Sequence, residues 1–279
     1  MEIVNDDRSL NIQVDGVAGG PPVLLLHGIT SSIRTWDWLM PHLIGRYHVV
    51  RLDFRGHGAS ARDSGEYDLP QYLADALIAC RSIGEPSMIV GHSLGGITAA
   101  ALAQAHPDLV RALVLEDPPL GMNADLEGNA LLDAFRLMRV SIPQLQANAV
   151  PVGVLSGMLG AAPSASGPPF SELLHPDGLV SMAEGMLHVD AAVLDRVLDG
   201  TTTTVFDPSR PIAVPTLLIT ADPTSPDAAA RPAHVARLAS TSPHVEVRVM
   251  EGAGHMIHDE LVHRQPFLAA VLEFLERHS

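Results

Sequence analysis

Short apolar runs recur along the chain at spacings that predict a parallel sheet. Ser9 to Val14, Val23 to Leu26, His48 to Asp53, Ser87 to Gly91, Ala112 to Glu116, Thr216 to Thr220 and Val245 to Met250 each read as a strand. Several of them are apolar throughout rather than alternating, which is the pattern of strands buried on both faces. Helical patterns fall between them: Trp36 to Leu43, Leu69 to Ile83, Gly95 to Ala105, Pro232 to Ala239 and Gln265 to Arg277. In the last of these, Phe267, Val271, Phe274 and Leu275 recur at i, i+4, i+7 and i+8, an apolar stripe facing a core. Alternating strand and helix predicts an α/β fold, a mostly parallel sheet of about eight strands with helices on both faces.

The alternation stops between Pro118 and Pro211, where no strand pattern occurs and Met, Leu, Ala, Gly and Pro accumulate. That stretch reads as a helical insertion. Its Pro/Gly-rich part, Gly160 to Phe170, reads as a loop, and Thr201 to Pro208 as the exit connection. The expected organisation is a core of residues 1–117 and 212–279 with residues 118–211 as a separate helical piece.

At 279 residues and 47% apolar content the chain can fill one sizeable core. Seventeen basic residues against 32 acidic give a formal charge of −15, and no Lys/Arg cluster exists to follow a phosphate backbone, so nucleic acid is a poor partner. A single cysteine, Cys80, allows no internal disulfide and reads as a buried thiol. Glu2, Asp6 and Asp7 precede any apolar run, and no apolar stretch approaches about 18 residues. Neither a signal peptide nor a membrane span is expected, and a cytoplasmic setting fits. Self-association is left open.

The chemistry centres on Met88-Ile89-Val90-Gly91-His92-Ser93-Leu94-Gly95-Gly96, where a strand enters Gly-x-Ser-x-Gly and an alanine-rich helix leaves it. At such a turn a serine hydroxyl is held clear of the backbone, and the amide of Leu94 with the positive end of the helix faces the place where an oxyanion would form. Alone the pattern is weak, since roughly one random chain of this length in ten would contain it. Three other segments strengthen it. Val23 to Leu26 runs into His27-Gly28-Ile29, whose glycine lets the Ile29 amide approach the same oxyanion position. Asp53-Phe54-Arg55-Gly56-His57-Gly58 forms a glycine-rich turn after the next strand, and Glu251-Gly252-Ala253-Gly254-His255 sets a histidine beyond the last one.

In this order the chain resembles the α/β-hydrolase fold family over nearly its whole length. The resemblance implies Ser93 as nucleophile, His255 as general base, the amides of Ile29 and Leu94 as oxyanion hole, and residues 118–211 as a cap over the sheet's C-terminal edge. No cofactor and no metal are expected. The family's usual triad acid follows the strand before the histidine, but there the chain reads Thr220-Ala221-Asp222-Pro223-Thr224, and the matching position holds Thr224. Asp222 serves only if the turn is shortened. A second arrangement, similar to that of haloalkane dehalogenases and fungal zearalenone lactonases, uses the strand after the nucleophile helix, and Asp117 stands there. Asp117 is favoured and Asp222 is the alternative.

His27, His57 and His92 lie in turns where imidazoles usually hold backbone groups. His258, Asp259 and His263 read as a solvated helix start rather than a metal site, for want of a full ligand set. Met122, Met138, Met158, Met182 and Met186 of the insertion are either core filler or, in a cap, adaptable walls for an apolar substrate; Met122, Met158 and Met186 are taken as the substrate-contact candidates. The expected activity is hydrolysis of a carboxylic ester or lactone with an apolar group, through an acyl-enzyme. Carbon–carbon bond hydrolases and thioesterases share the constellation, and a receptor-like binding protein is the rival from another class.

Overall fold

The computed structural model describes residues 2–5, 8–62 and 66–279, with the backbone alone for 2–5 and Arg8. Asp6 and Asp7 lie outside the described residues. Eight strands form one sheet: β1 (Glu2–Asn5), β2 (Arg8–Gly16), β3 (Pro22–Leu26), β4 (His48–Leu52), β5 (Ser87–His92), β6 (Val110–Glu116), β7 (Thr216–Thr220) and β8 (Val245–Val249). Their order is β1-β2-β4-β3-β5-β6-β7-β8. β1 and β2 run antiparallel to their neighbours, and every pairing from β4 to β8 is parallel. The β1 strand has no counterpart in the sequence reading.

Strand alternation divides the core into two layers. In β3, Val23 and Leu25 face one layer and Leu24 and Leu26 the other; β6 does the same with Ala112 and Val114 against Leu113 and Leu115. One layer is covered by α2 (Leu69–Ile83) and α3 (Leu94–Ala105). The other is covered by α1 (Met40–Leu43) and α11 (Arg264–His278), with Trp36, Phe267 and Phe274 fully buried in it. α2 begins where the Asp68 carboxylate accepts the Leu69 amide and ends on Gly84 at φ 83°.

The helix expected over Trp36 to Leu43 is two short turns instead, a 3₁₀ turn at Ile33–Trp36 and then α1. Pro41 explains the break, because proline fits only the first turn of a helix and cannot continue one arriving from Trp36. Between β6 and β7 run α4 (Asn123–Leu126), α5 (Ala130–Ala147), α6 (Val152–Ala161), α7 (Phe170–Leu173), α8 (Pro176–Leu187) and α9 (Asp195–Leu198), and α10 (Pro232–Thr241) precedes β8. Cys80 is a buried free thiol that shares a hydrogen bond with the Ser87 hydroxyl at 3.8 Å, and burial pushes its pKa up to about 11. Among the described residues no helix is long and apolar enough to cross a membrane.

Candidate active site

The site lies at the C-terminal ends of β3, β5 and β6, where open α/β sheets bind ligands. Ser93 occupies the single residue between β5 and α3, at φ 51° and ψ −112°. Such a backbone is strained for a residue bearing a Cβ, and the surroundings enforce it. A Cβ on Gly91 would lie 2.5 Å from the Gly95 carbonyl oxygen, and one on Gly95 only 2.2 Å from that of Leu26. Helix and strands therefore meet more closely than any other residue permits. Strain gathers here: five described residues other than glycine have positive φ, and Thr30, Ser93, Asp117 and Met122 are four of them.

Two amides at this turn are unspent. Among the described residues, neither the Ile29 nor the Leu94 N–H donates to a protein acceptor. Ile29 belongs to a loop held by histidines. The His27 Nδ1–H donates to the Gly28 carbonyl at 2.8 Å while its Nε2 accepts the Phe54 amide at 3.1 Å, and His57 Nε2 accepts the Thr30 amide at 3.2 Å. Both rings are fully buried, and burial pulls them down to about 4 and about 3, so they stay neutral acceptors. These two, read from the sequence as backbone anchors, are that. The same loop touches the serine, for a Cβ on Gly28 would lie 3.5 Å from the Ser93 Cβ.

His255 stands on the loop after β8, 5% exposed, and its Nδ1–H donates to the Asp117 Oδ2 at 2.7 Å. Asp117 is fully buried, directly beyond β6, and accepts three amides besides: Ala229 at 2.8 Å, and Ala221 and Ala230 at 3.2 Å. Burial pulls the His255 pKa down, but the bond to Asp117 and the nearby carboxylates of Asp117, Asp227 and Glu116 outweigh it, and the net shift is upward. Asp222 is placed differently. Its oxygens accept the amide and hydroxyl of Thr224 and the Gly252 amide, a turn-capping role that holds its pKa down at about 2. The ring of His92 packs on that of His255 at 4.8 Å, and its Nε2–H donates to the His255 carbonyl at 3.1 Å, linking the histidine loop to the residue before Ser93.

Ser93, Ile29 and Leu94 open into an apolar pocket whose far wall includes Met122, Leu126 and Phe135. Met158 lies elsewhere, 56% exposed on α6, and Met186 is buried in the core layer; neither is on this wall. Composition alone singled out those methionines, and it carries no direction toward the serine.

The sequence reading of His258 and Asp259 as solvated is corrected here: they are 1% and 2% exposed. His258 donates both its amide (2.9 Å) and its Nδ1–H (2.8 Å to Oε2) to Glu116, a buried carboxylate that the reading passed over. A charge ending the apolar run Ala112-Leu113-Val114-Leu115 was the available signal, since a fully buried carboxylate demands a partner. Among the described residues, His92, Glu116 and His258 are the one histidine and carboxylate group with ligand atoms within 4.8 Å of one another. Burial lowers the His258 pKa, but its acidic neighbours Glu116 and Asp259 outweigh that and raise it to about 9.

A strained serine at a strand-to-helix turn, a buried histidine paired with a carboxylate and two free amides together define an α/β-hydrolase site. The chain belongs to the alpha/beta hydrolase family, whose model matches residues 23–270. A 2-(acetamidomethylene)succinate hydrolase from Mesorhizobium japonicum is 36% identical over 110 residues, 39% of this chain and 39% of that protein, so the aligned part spans about two fifths of that relative. An sn-1-specific diacylglycerol lipase from Mus musculus is 27% identical over 271 residues, covering 94% of this chain and 83% of the lipase. The solved structure of an enzyme degrading N-acyl homoserine lactones superposes with a TM-score of 0.68 over 98% of this chain and 100% of that one, at 22% identity, a likeness of fold.

Proposed function

We propose that this protein is a cofactor-independent serine hydrolase of carboxylic esters or lactones bearing an apolar acyl or alkyl group. The observation that carries the reading is the juxtaposition at the strand ends: Ser93 at its strained turn follows His92, whose ring holds the His255 carbonyl at 3.1 Å, and the His255 Nδ1–H reaches Asp117 at 2.7 Å. Asp117 fixes the tautomer that leaves Nε2 free to take the serine proton, and its charge stabilises the imidazolium that results. Ser93 Oγ attacks the carbonyl carbon. The amides of Ile29 and Leu94 receive the oxyanion, and the imidazolium returns its proton to the leaving alkoxide. Water then repeats the sequence on the acyl-enzyme, with His255 again as base, and releases the acid.

The apolar substrate preference is supported by Ile97, Met122, Leu126, Leu131 and Phe135 around Ser93. Four of these come from the chain between β6 and β7, which supports residues 118–211 as a substrate-selecting cap over a core of 1–117 and 212–279. The mouse lipase acts on an ester and the structural relative on a lactone, which accords with either substrate. Turnover of p-nitrophenyl esters of graded chain length, beside γ-lactones and thioesters, tests the proposal. Esters or lactones with apolar chains should be preferred over charged esters of matched reactivity. Tight ligand binding without turnover would mark a receptor-like protein instead.

A further inference from the structure

Glu116 and Asp117 are consecutive, yet their carboxylates grip the histidine loop at different points. Asp117 takes the ring of His255, and Glu116 takes both the amide and the ring of His258 three residues on. His92 lies between the two histidines, its ring 4.8 Å from that of His255 and 5.0 Å, edge-on, from that of His258. Burial holds His92 neutral, its pKa well below the ordinary value.

The surroundings of His258 are closed on every side. The ring stacks on Trp36 at 5.0 Å, and its Nε2–H donates to Thr35 Oγ1 at 2.9 Å, both residues of the 3₁₀ turn after β3. Asp259 Oδ2 lies 3.6 Å from Nε2, and Arg264 of α11 donates to the His258 carbonyl at 2.8 Å while pairing with Asp259 and Asp177. Glu116, His92, Asp259 and Arg264 are thus the ionisable groups facing this ring. A buried ion pair adds little net stability over an apolar pair of the same shape, because desolvation offsets the attraction. Fold stability alone does not account for it.

We propose that Glu116 and His258 form a buried ion pair that positions His255, pinning its loop to the strand end that carries Asp117 and balancing the charge beside its imidazole. The inference rests on His255 being the general base. The pair's two members act on His255 with opposite sign. Without the Glu116 charge, the His255 proton is held less strongly; without His258, the Glu116 charge stands unpaired and holds it more strongly.

The test compares Glu116→Gln, His258→Gln and the double variant with the wild-type protein. Histidine ¹³Cε1–¹H NMR follows the His255 titration with no substrate present, and kcat and KM for a p-nitrophenyl ester are measured per site titrated with an organophosphonate. In the Glu116→Gln protein the His255 pKa should fall, in the His258→Gln protein it should rise, and in the double variant it should return close to the wild-type value. In each single variant kcat should drop about tenfold or more with KM within about twofold, as expected for a base displaced by a fraction of an ångström. Both single variants titrating as wild type with unchanged kcat, or shifting in the same direction, would overturn the proposal. Where a single variant does not fold, the double variant carries the test, since it leaves neither member's charge buried without its partner: reduced kcat at unchanged KM supports the pair, and wild-type kcat overturns it. The NMR arm needs no turnover, so an inactive wild-type protein would refute the hydrolase reading and leave this one to stand or fall on its titrations.

Discussion

Replacing Asp117 by asparagine removes one charge and converts two acceptor oxygens into one acceptor and one donor. The carboxylate receives four N–H groups: Oδ2 takes His255 Nδ1 at 2.7 Å and Ala229 at 2.8 Å, and Oδ1 takes Ala221 and Ala230, both at 3.2 Å. An amide NH₂ group therefore faces donors whichever way it turns. Set on the His255 side it opposes the Ala229 amide and forces the ring into the tautomer with its proton on Nε2, where it cannot act as base. Set on the other side it opposes two longer, weaker bonds and keeps the correct tautomer, but the negative charge that stabilises the imidazolium is still gone. Either way a buried donor loses its acceptor, a cost of about 1–3 kcal/mol in stability. The wrong tautomer costs roughly 10⁴ in kcat in the serine-protease precedent. We expect a kcat loss of about 10²–10⁴, with the stability loss visible as a lower urea midpoint. Asp222→Asn, whose carboxylate oxygens serve only Thr224 and Gly252 among the described residues, should keep kcat within about twofold. The assay is ester turnover at equal folded fraction. Asp117→Asn near wild type with Asp222→Asn collapsed would refute the reasoning and transfer the acid's role to the β7 turn.

Three further outcomes are expected. Because His255 must be neutral to accept a proton and its pKa is raised, kcat/KM should fall with decreasing pH through a single ionisation above the ordinary imidazole value of about 6.5; a profile flat from pH 5 to 9 would exclude a histidine base. His258, raised to about 9, contributes stability that is fully present below about pH 6.5 and is lost as pH rises through about 9, on the order of 3 kcal/mol. Urea midpoints should therefore decline from pH 6.5 to 9.5 in the wild-type protein and much less in His258→Gln. Phe135→Ala should empty part of the pocket wall, at a stability cost of roughly 3 kcal/mol, and move the preferred p-nitrophenyl ester to a longer chain; an unchanged chain-length profile would remove Phe135 from the substrate pocket.

The sheet was legible because its central strands are buried on both faces, which makes apolar runs such as Val23 to Leu26 stand out. β1 escaped because four residues carry no periodicity of their own and pair only through β2. The serine turn and the histidine were legible through glycine spacing, which records close backbone approach directly. Asp117 was visible by its place after β6, although its four donors come from segments more than 100 residues away and could not be foreseen. Glu116 and His258 were missed for the same reason: they lie 142 residues apart, and Thr35 and Trp36, which close over the His258 ring, are more than 200 residues from it. The insertion's helical character follows from composition, but which methionines face the serine depends on how the six helices α4 to α9 pack.

The central claim, that Ser93 is the nucleophile, is tested most directly by covalent capture. Incubating the wild-type protein with a fluorophosphonate and sequencing the modified peptide by mass spectrometry should place the adduct on Ser93, with ester turnover lost in proportion to labelling. Ser93→Ala should fold normally, take no label and show no turnover. Labelling elsewhere, or an alanine variant that retains wild-type turnover and still reacts, would contradict the account.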